Sequence, residues 1–308
     1  MSSTFAQSPS IAPLIELRGI TRQFGDQQVV RNLCLSVAAG ETVALIGESG
    51  CGKSVTLRLM MALLEPTAGD VCWSGRPVAD LNAGQRDRDR LRFGYLFQNS
   101  ALFDSLDVFE NVAFGLREIS DLSETVVCNT VHERLEEVGL SAEICDRKPA
   151  ELSGGMRKRV ALARALALEP AIMLYDEPTT GLDPVMTGVI NRLICQTRDQ
   201  RPVTSVVVTH DLSTVQAVAD RVVMLEPVSR LEADDRQVIF SGTFAEAVAS
   251  PDPRVAAFVG NTATESRPAT ENSRSQGDPA CQNHVGDGRS GFDSWQDRKW
   301  CTDNGQEA

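Results

Sequence analysis

Residues 47–54 read Gly-Glu-Ser-Gly-Cys-Gly-Lys-Ser, a match to G-x-x-x-x-G-K-[ST], and no other stretch constrains the chain as much. The apolar run Thr42–Ile46 before it reads as a strand. After it, Val55, Leu57, Leu59, Met60, Leu63 and Leu64 are too dense to alternate and stop at Glu65-Pro66, which predicts a largely buried helix. Strand, glycine-rich turn and helix is thus the local order, the context that the motif requires. Gly47, Gly50 and Gly52, with Glu48, Ser49 and Cys51 between them, let backbone N–H groups curl round phosphates at a helix N-terminus. Lys53 then reaches the terminal phosphates and Ser54 offers a hydroxyl to Mg²⁺. Taken without their flanks, the same glycines would make no more than a flexible turn.

A phosphate loop needs an acidic partner for its metal. Ala171–Tyr175 is a near-continuous apolar run ending in Asp176-Glu177, so a buried strand delivers both carboxylates to its end. Asp176 suits the Mg²⁺ shell, and Glu177 is placed to orient or deprotonate an attacking water. Without a phosphate loop upstream, such a pair would more often cap the next turn.

Further strands are expected at Leu14–Leu17, Val29–Val37 and Val203–Val208, with a crossover helix over Pro184–Arg198. Between about Gln98 and Ala167 the apolar spacing turns helical, notably over Val126–Val138 and Met156–Leu168. Ser153, Gly154 and Gly155 open the second of these helices, a second anion site with no lysine of its own. Such a site completes one made elsewhere, although Ser-Gly-Gly alone is ordinarily a helix cap.

With these residues in view, the sequence resembles the ABC ATPase family from about Leu14 to Gly260. The resemblance implies an α/β P-loop NTPase fold of the ABC ATPase kind, with a RecA-like core, an antiparallel β-subdomain and a helical subdomain over about 99–167. It implies a flexible N-terminus over 1–13 and a nucleotide-binding domain over 14–260. From Asn261 the composition turns polar, and 261–308 reads as a disordered tail, with Trp295 and Trp300 as the alternative of a short docking segment. ATP and Mg²⁺ are the implied cofactors. Phe24 takes the place of the aromatic that stacks on adenine, usually tyrosine; a core phenylalanine is the alternative. Gln98 matches the glutamine that senses Mg²⁺ beside the membrane partner, joining Ser54 and Asp176 as metal residues. Gly181-Leu182-Asp183 matches the loop that crosses the dimer interface, and His210 the histidine that contacts the γ-phosphate and helps Glu177 position water. Two chains then sandwich two ATP molecules, each between one subunit's Gly47–Ser54 and the other's Ser153–Gly155.

Met156 after LSGG, where importers of amino acids and sugars carry glutamine, resembles the ATPases of MCE-linked lipid transporters, the Mla type. The segments Tyr95–Val112 and Asp176–Pro184 resemble the same group. The resemblance implies a homodimer, an integral membrane permease, an MCE-domain lipid-binding protein and a small regulatory subunit as partners. It places the chain peripherally, on the cytoplasmic face of the inner membrane. GESGCGKSVT pulls toward oligopeptide importers, so an importer for peptides or amino acids is the alternative, and a soluble non-transport ABC ATPase a third.

Composition narrows this further. A formal net charge of −12 argues against a nucleic-acid partner. Eight cysteines with no CxxC pair indicate neither zinc nor a redox dithiol, and Cys281 with His284 reads as a chance pair. The first ten residues lack a basic and apolar leader, and no run approaches the ~20 apolar residues that span a bilayer. Leu231–Arg236 reads as an exposed hairpin turn.

Overall fold

The computed structural model describes residues 13–265 apart from 120, 233 and 234, so the readings for 1–12 and for the tail beyond 265 lie outside the described residues. In chain order the elements are β1 (Ile15–Phe24), β2 (Gln27–Val37), β3 (Thr42–Ile46), α1 (Lys53–Met60), β4 (Ala68–Trp73), β5 (Arg76–Pro77), α2 (Ala83–Arg90) and β6 (Phe93–Leu96). Next come α3 (Val108–Ile119), α4 (Glu124–Glu137), α5 (Gly154–Leu166), β7 (Ile172–Asp176), α6 (Pro184–Gln200), β8 (Thr204–Val208) and α7 (Leu212–Val218). The last are β9 (Arg221–Leu225), β10 (Val238–Gly242), α8 (Phe244–Val248) and α9 (Pro253–Glu265).

Two sheets result. The first is antiparallel, in the order β2-β1-β4-β5; the second runs β10-β9-β3-β8-β7-β6, with β10 antiparallel to β9 and the remaining neighbours parallel. The parallel strands are buried on both faces, and their alternation sorts the core. Val43, Leu45, Leu174, Val206, Val208, Val223 and Leu225 point to one side, where they join α1 and the inward residues of the antiparallel sheet such as Ile15, Leu17 and Val30. Met173, Tyr175 and Val207 point to the other, against α3–α6, while Ala44, Ile46, Val222 and Met224 meet α7–α9.

Parallel strands put all their carboxyl ends on one edge, where open α/β sheets hold their ligands. Because β3, β8, β7 and β6 are consecutive neighbours, the phosphate loop, His210, the Asp176-Glu177 pair and Gln98 emerge side by side.

Most element bounds fall within two residues of expectation, and two differ by more. β1 runs on to Phe24 because its polar residues lie on a half-exposed sheet and so lack a continuous apolar signal. The helix after Lys53 stops at Met60: Ala62 turns left-handed (φ 52°), and the N–H groups of Leu63 and Leu64 fold back onto the Arg58 carbonyl. Leu63 is thereby left 54% exposed.

Candidate nucleotide-hydrolysis site

Gly47, Gly50 and Gly52 of the phosphate loop all have positive φ, and two of them are also hemmed in by backbone. At Gly47 (φ 141°) a Cβ would run into the Leu225 carbonyl, and at Gly52 (φ 96°), which starts α1, it would sit 3.0 Å from the Val29 carbonyl oxygen. Lys53 is 8% exposed, and its Nζ donates to the carbonyl oxygens of Gly47 and Glu48 at 2.7 and 2.9 Å. The ammonium thus lies along the floor of the loop rather than out in solvent.

Ser54 Oγ donates to Asp176 Oδ1 at 2.7 Å, and Tyr95 Oη donates to Oδ2 at 3.0 Å. Both oxygens of this buried carboxylate are therefore engaged, one by the phosphate loop and one by the next strand. Burial and the neighbouring carboxylate push the Tyr95 phenol well above its ordinary pKa, which keeps it a donor.

Glu177 adopts a left-handed backbone (φ 50°), which a non-glycine residue holds only under local constraint. Its N–H donates to the Val208 carbonyl at 2.8 Å, and its own carbonyl accepts from Lys158 Nζ at 3.2 Å. The side chain is fixed as well: His210 Nδ1 lies 2.9 Å from Glu177 Oε2, and Thr180 Oγ1 donates to the same oxygen at 2.9 Å. Behind His210, Asp211 accepts from Ser213 and Thr214 and caps α7. Burial would raise its pKa, but those hydrogen bonds outweigh it and hold the carboxyl below its ordinary value.

The remaining site residues stand apart from this cluster. Ser153 Oγ caps α5 by accepting from Met156 N at 3.2 Å, and Asp183 Oδ1 caps α6 by accepting from Met186 N at 2.9 Å. A Cβ on Gly155 would come within 2.7 Å of Met186 Cε, so these two helix starts abut. Ser153, Gly154 and Asp183 are all exposed. Phe24 ends β1 with its ring 43% exposed, ruling out the core alternative, and the Arg22 guanidinium lies 4.5 Å from the ring centroid. Gln98 is exposed at the end of the segment leaving β6.

A family described as ABC transporter matches residues 30–180. The chain is 39% identical over 246 residues to the intermembrane phospholipid transport system ATP-binding protein MlaF of Haemophilus influenzae, covering 80% of this chain and 90% of that one. The MlaF of Escherichia coli K12 is 37% identical over 250 residues, 81% of this chain and 90% of that one. This chain is an ABC transporter ATPase subunit. The probable ribonucleotide transport ATP-binding protein mkl of Mycobacterium leprae is 41% identical over 212 residues, covering 68% of this chain and 60% of that one. Among solved structures, a dimeric ATP-binding cassette in a post-hydrolysis state bound to ADP and Pi has a TM-score of 0.66 at 30% identity, over 74% of this chain and 98% of that one.

Several residues of the ATPase site carry no local sequence signal. Lys158, on α5 and 4% exposed, donates to the carbonyls of Gln98 and Glu177. Burial pushes its ammonium down to about 8, against the opposing pull of Asp176 and Glu177. Arg164, one helical face further along, donates to the carbonyls of Ala101 and Ser100 at 2.8 and 2.9 Å. Both of those residues have positive φ, so α5 holds an otherwise unfavourable loop backbone. Asn111, fully buried, steadies the continuation by bonding Phe103, Leu106 and Asp107 backbone groups. Tyr95 likewise becomes visible only once β6 and β7 are paired, while Thr180 acts within the turn after β7, three residues from Glu177. For Tyr95, Lys158 and Arg164 the signal is long-range contact, and only a fold supplies it.

Proposed function

We propose that this subunit powers phospholipid transport, hydrolysing ATP as a homodimer and driving a separate permease that works with an MCE-domain lipid-binding protein. The observation that carries the cargo assignment is the likeness to MlaF over 90% of that protein's length. The importer and non-transport alternatives have no comparable support.

The hydrolytic chemistry follows from the residues already described. Lys53 exchanges its loop carbonyls for phosphate oxygens, and Phe24, braced by Arg22, offers its other face to adenine. Glu177, with Oε2 fixed by His210 and Thr180, is held rigid enough to accept a proton or hydrogen bond from an attacking water. The partner subunit's Ser153, Gly154 and Gly155 present the amino end of α5 to the γ-phosphate, while Asp183 lies across the interface.

The residues present fit Mg²⁺. Ser54 Oγ and Asp176 Oδ1, hard oxygen donors held 2.7 Å apart, suit an ion that takes few protein ligands and completes its shell with water and phosphate. When bound, Mg²⁺ supplies charge neutralisation on the β- and γ-phosphates. Gln98 is the third candidate, positioned through its carbonyl by Lys158.

The permease contact is proposed on the helical subdomain beside Gln98. Phe97, Phe103, Phe114, Ile119 and Leu122 are each about two-fifths exposed there, with the rings of Phe103 and Phe114 tilted against each other, centroids 4.8 Å apart. That many large apolar groups on one side of a folded chain mark a protein contact. Among the described residues no helix is long and apolar enough to cross a membrane, consistent with peripheral attachment at the cytoplasmic face of the inner membrane.

Purification of the Glu177→Gln chain from membranes with ATP and Mg²⁺, followed by mass spectrometry of proteins and lipids, tests the reading. A permease with an MCE protein and enriched phospholipid supports it. A permease with a peptide-binding protein overturns the cargo assignment while leaving the ATPase in place.

A further inference from the structure

The connection between β9 and β10, Glu226–Gln237, is longer than a hairpin requires, and it returns to the nucleotide site. Its base is closed where Glu226 N–H donates to the Gln237 carbonyl at 2.9 Å. Gln237 is fully buried, and each end of its amide is used. Its Oε1 accepts from Arg31 N at 2.9 Å, and its Nε2 donates to the carbonyls of Val29 at 3.1 Å and Cys51 at 2.9 Å. One side chain therefore joins β2 of the antiparallel sheet to the fourth variable position of the phosphate loop.

A second tie reaches the loop's other end. Arg230, from the helical turn Val228–Arg230, places Nη1 2.7 Å from Glu48 Oε1 and 3.6 Å from the buried Glu226 carboxylate. Arg31 closes the circuit from β2, its guanidinium donating to the carbonyls of Glu232 and Asp235. Glu48 and Cys51 bracket the turn whose N–H groups face phosphate, so the β9–β10 connection grips that turn from both sides. A bare Glu48 carboxylate would also repel an incoming polyphosphate; Arg230 compensates its charge.

We propose that the β9–β10 connection is a clasp on the phosphate loop, with Arg230 and Gln237 as positioning residues that set ATP affinity. This rests on the ATP site described above and is independent of the cargo. Preorganising the loop lowers the cost of ordering it around phosphate, so loosening the clasp weakens binding and leaves the chemical step intact.

The test is steady-state ATPase kinetics of the full chain in its membrane complex, with melting temperatures of each variant. Arg230→Ala is expected to raise KM for ATP about threefold to tenfold with kcat within about twofold, and Arg230→Lys to recover most of the loss. The effect of Arg230→Ala should shrink in a Glu48→Gln background, since the charge it compensates is gone. Gln237→Ala should raise KM at least as much; because it leaves buried groups unpaired, it is read only if the variant melts cooperatively, and Arg230→Ala at the surface carries the test otherwise. An unchanged KM for folded Arg230→Ala, or a fall in kcat at constant KM, overturns the clasp. Lys53→Ala in the same assay separates the two ideas: if it turns over ATP with unchanged kcat and KM, the nucleotide site itself is wrongly assigned.

Discussion

His210 Nδ1 lies 2.9 Å from Glu177 Oε2, and Thr180 shares that oxygen, so the turn after β7 and the turn after β8 meet on a single atom. The pairing requires the imidazole proton on Nδ1 and leaves the ring, 60% exposed, at the mouth of the site. Two strands that are neighbours in the sheet thus hold one carboxylate in one orientation.

Replacing that carboxylate while keeping its shape separates binding from turnover. Glu177→Gln is expected to lower kcat by about 100-fold or more, retain ATP and accumulate as a dimer in size-exclusion chromatography. Adding His210→Ala should cost much less than the product of the single losses, because the two act as a unit. Turnover at the unmodified rate by Glu177→Gln would remove it as the base.

Ser153 caps α5 from an exposed position, so a bulky cation there leaves the chain's own phosphate loop untouched. Ser153→Arg is expected to bind ATP as a monomer, to form no ATP-dependent dimer and to hydrolyse nothing above background. Hydrolysis by that monomer would refute the shared site, while loss of ATP binding is the outcome expected of Lys53→Ala instead.

Tyr95 donates to the Asp176 oxygen that Ser54 does not occupy. Tyr95→Phe removes only that hydroxyl and should lower stability by about 1 kcal/mol. The Mg²⁺ concentration for half-maximal ATPase should rise with it, measured at saturating ATP. Equal Mg²⁺ dependence would confine Tyr95 to a packing role.

Glu41 is held below its ordinary pKa: burial pushes it up, but hydrogen bonds from Arg221 and the Ala38 N–H outweigh that. A lowered native pKa contributes stability that is present above the unfolded glutamate value and lost as pH falls through the native one. Glu41→Gln should therefore lower the melting temperature at pH 7, by about 1–3 kcal/mol in stability, and the gap should close in acid. A gap independent of pH would assign the loss to packing.

The parts of this fold that sequence made legible are the ones buried on both faces. β3, β7 and β8 are near-continuous apolar runs that lead directly into the phosphate loop, the Asp176-Glu177 pair and His210, so strand and site are legible together. β4 and β6 carry no such signal: Ala68–Asp70 is exposed and holds no large apolar residue, and Phe93–Leu96 is too short to show a period. The phosphate loop, Asp176, Glu177 and His210 are legible because their motifs are local or follow a fixed order. Tyr95, Lys158, Arg164 and Gln237 are not, because each acts on a residue dozens of positions away, and nothing in the chain fixes those pairs before the sheet order does.

Ser153 at the start of α5, Lys158 in its middle and Arg164 near its end lie along roughly 16 Å of one uninterrupted helix. In the proposed dimer that helix is a connecting rod, with a bearing for a second subunit's nucleotide at one end and the backbone of Gln98–Ala101 pinned to its shaft. A tilt that seated Ser153 would then carry the strip beside Phe97 and Phe103 in the same stroke, with no relay of side-chain rearrangements between them.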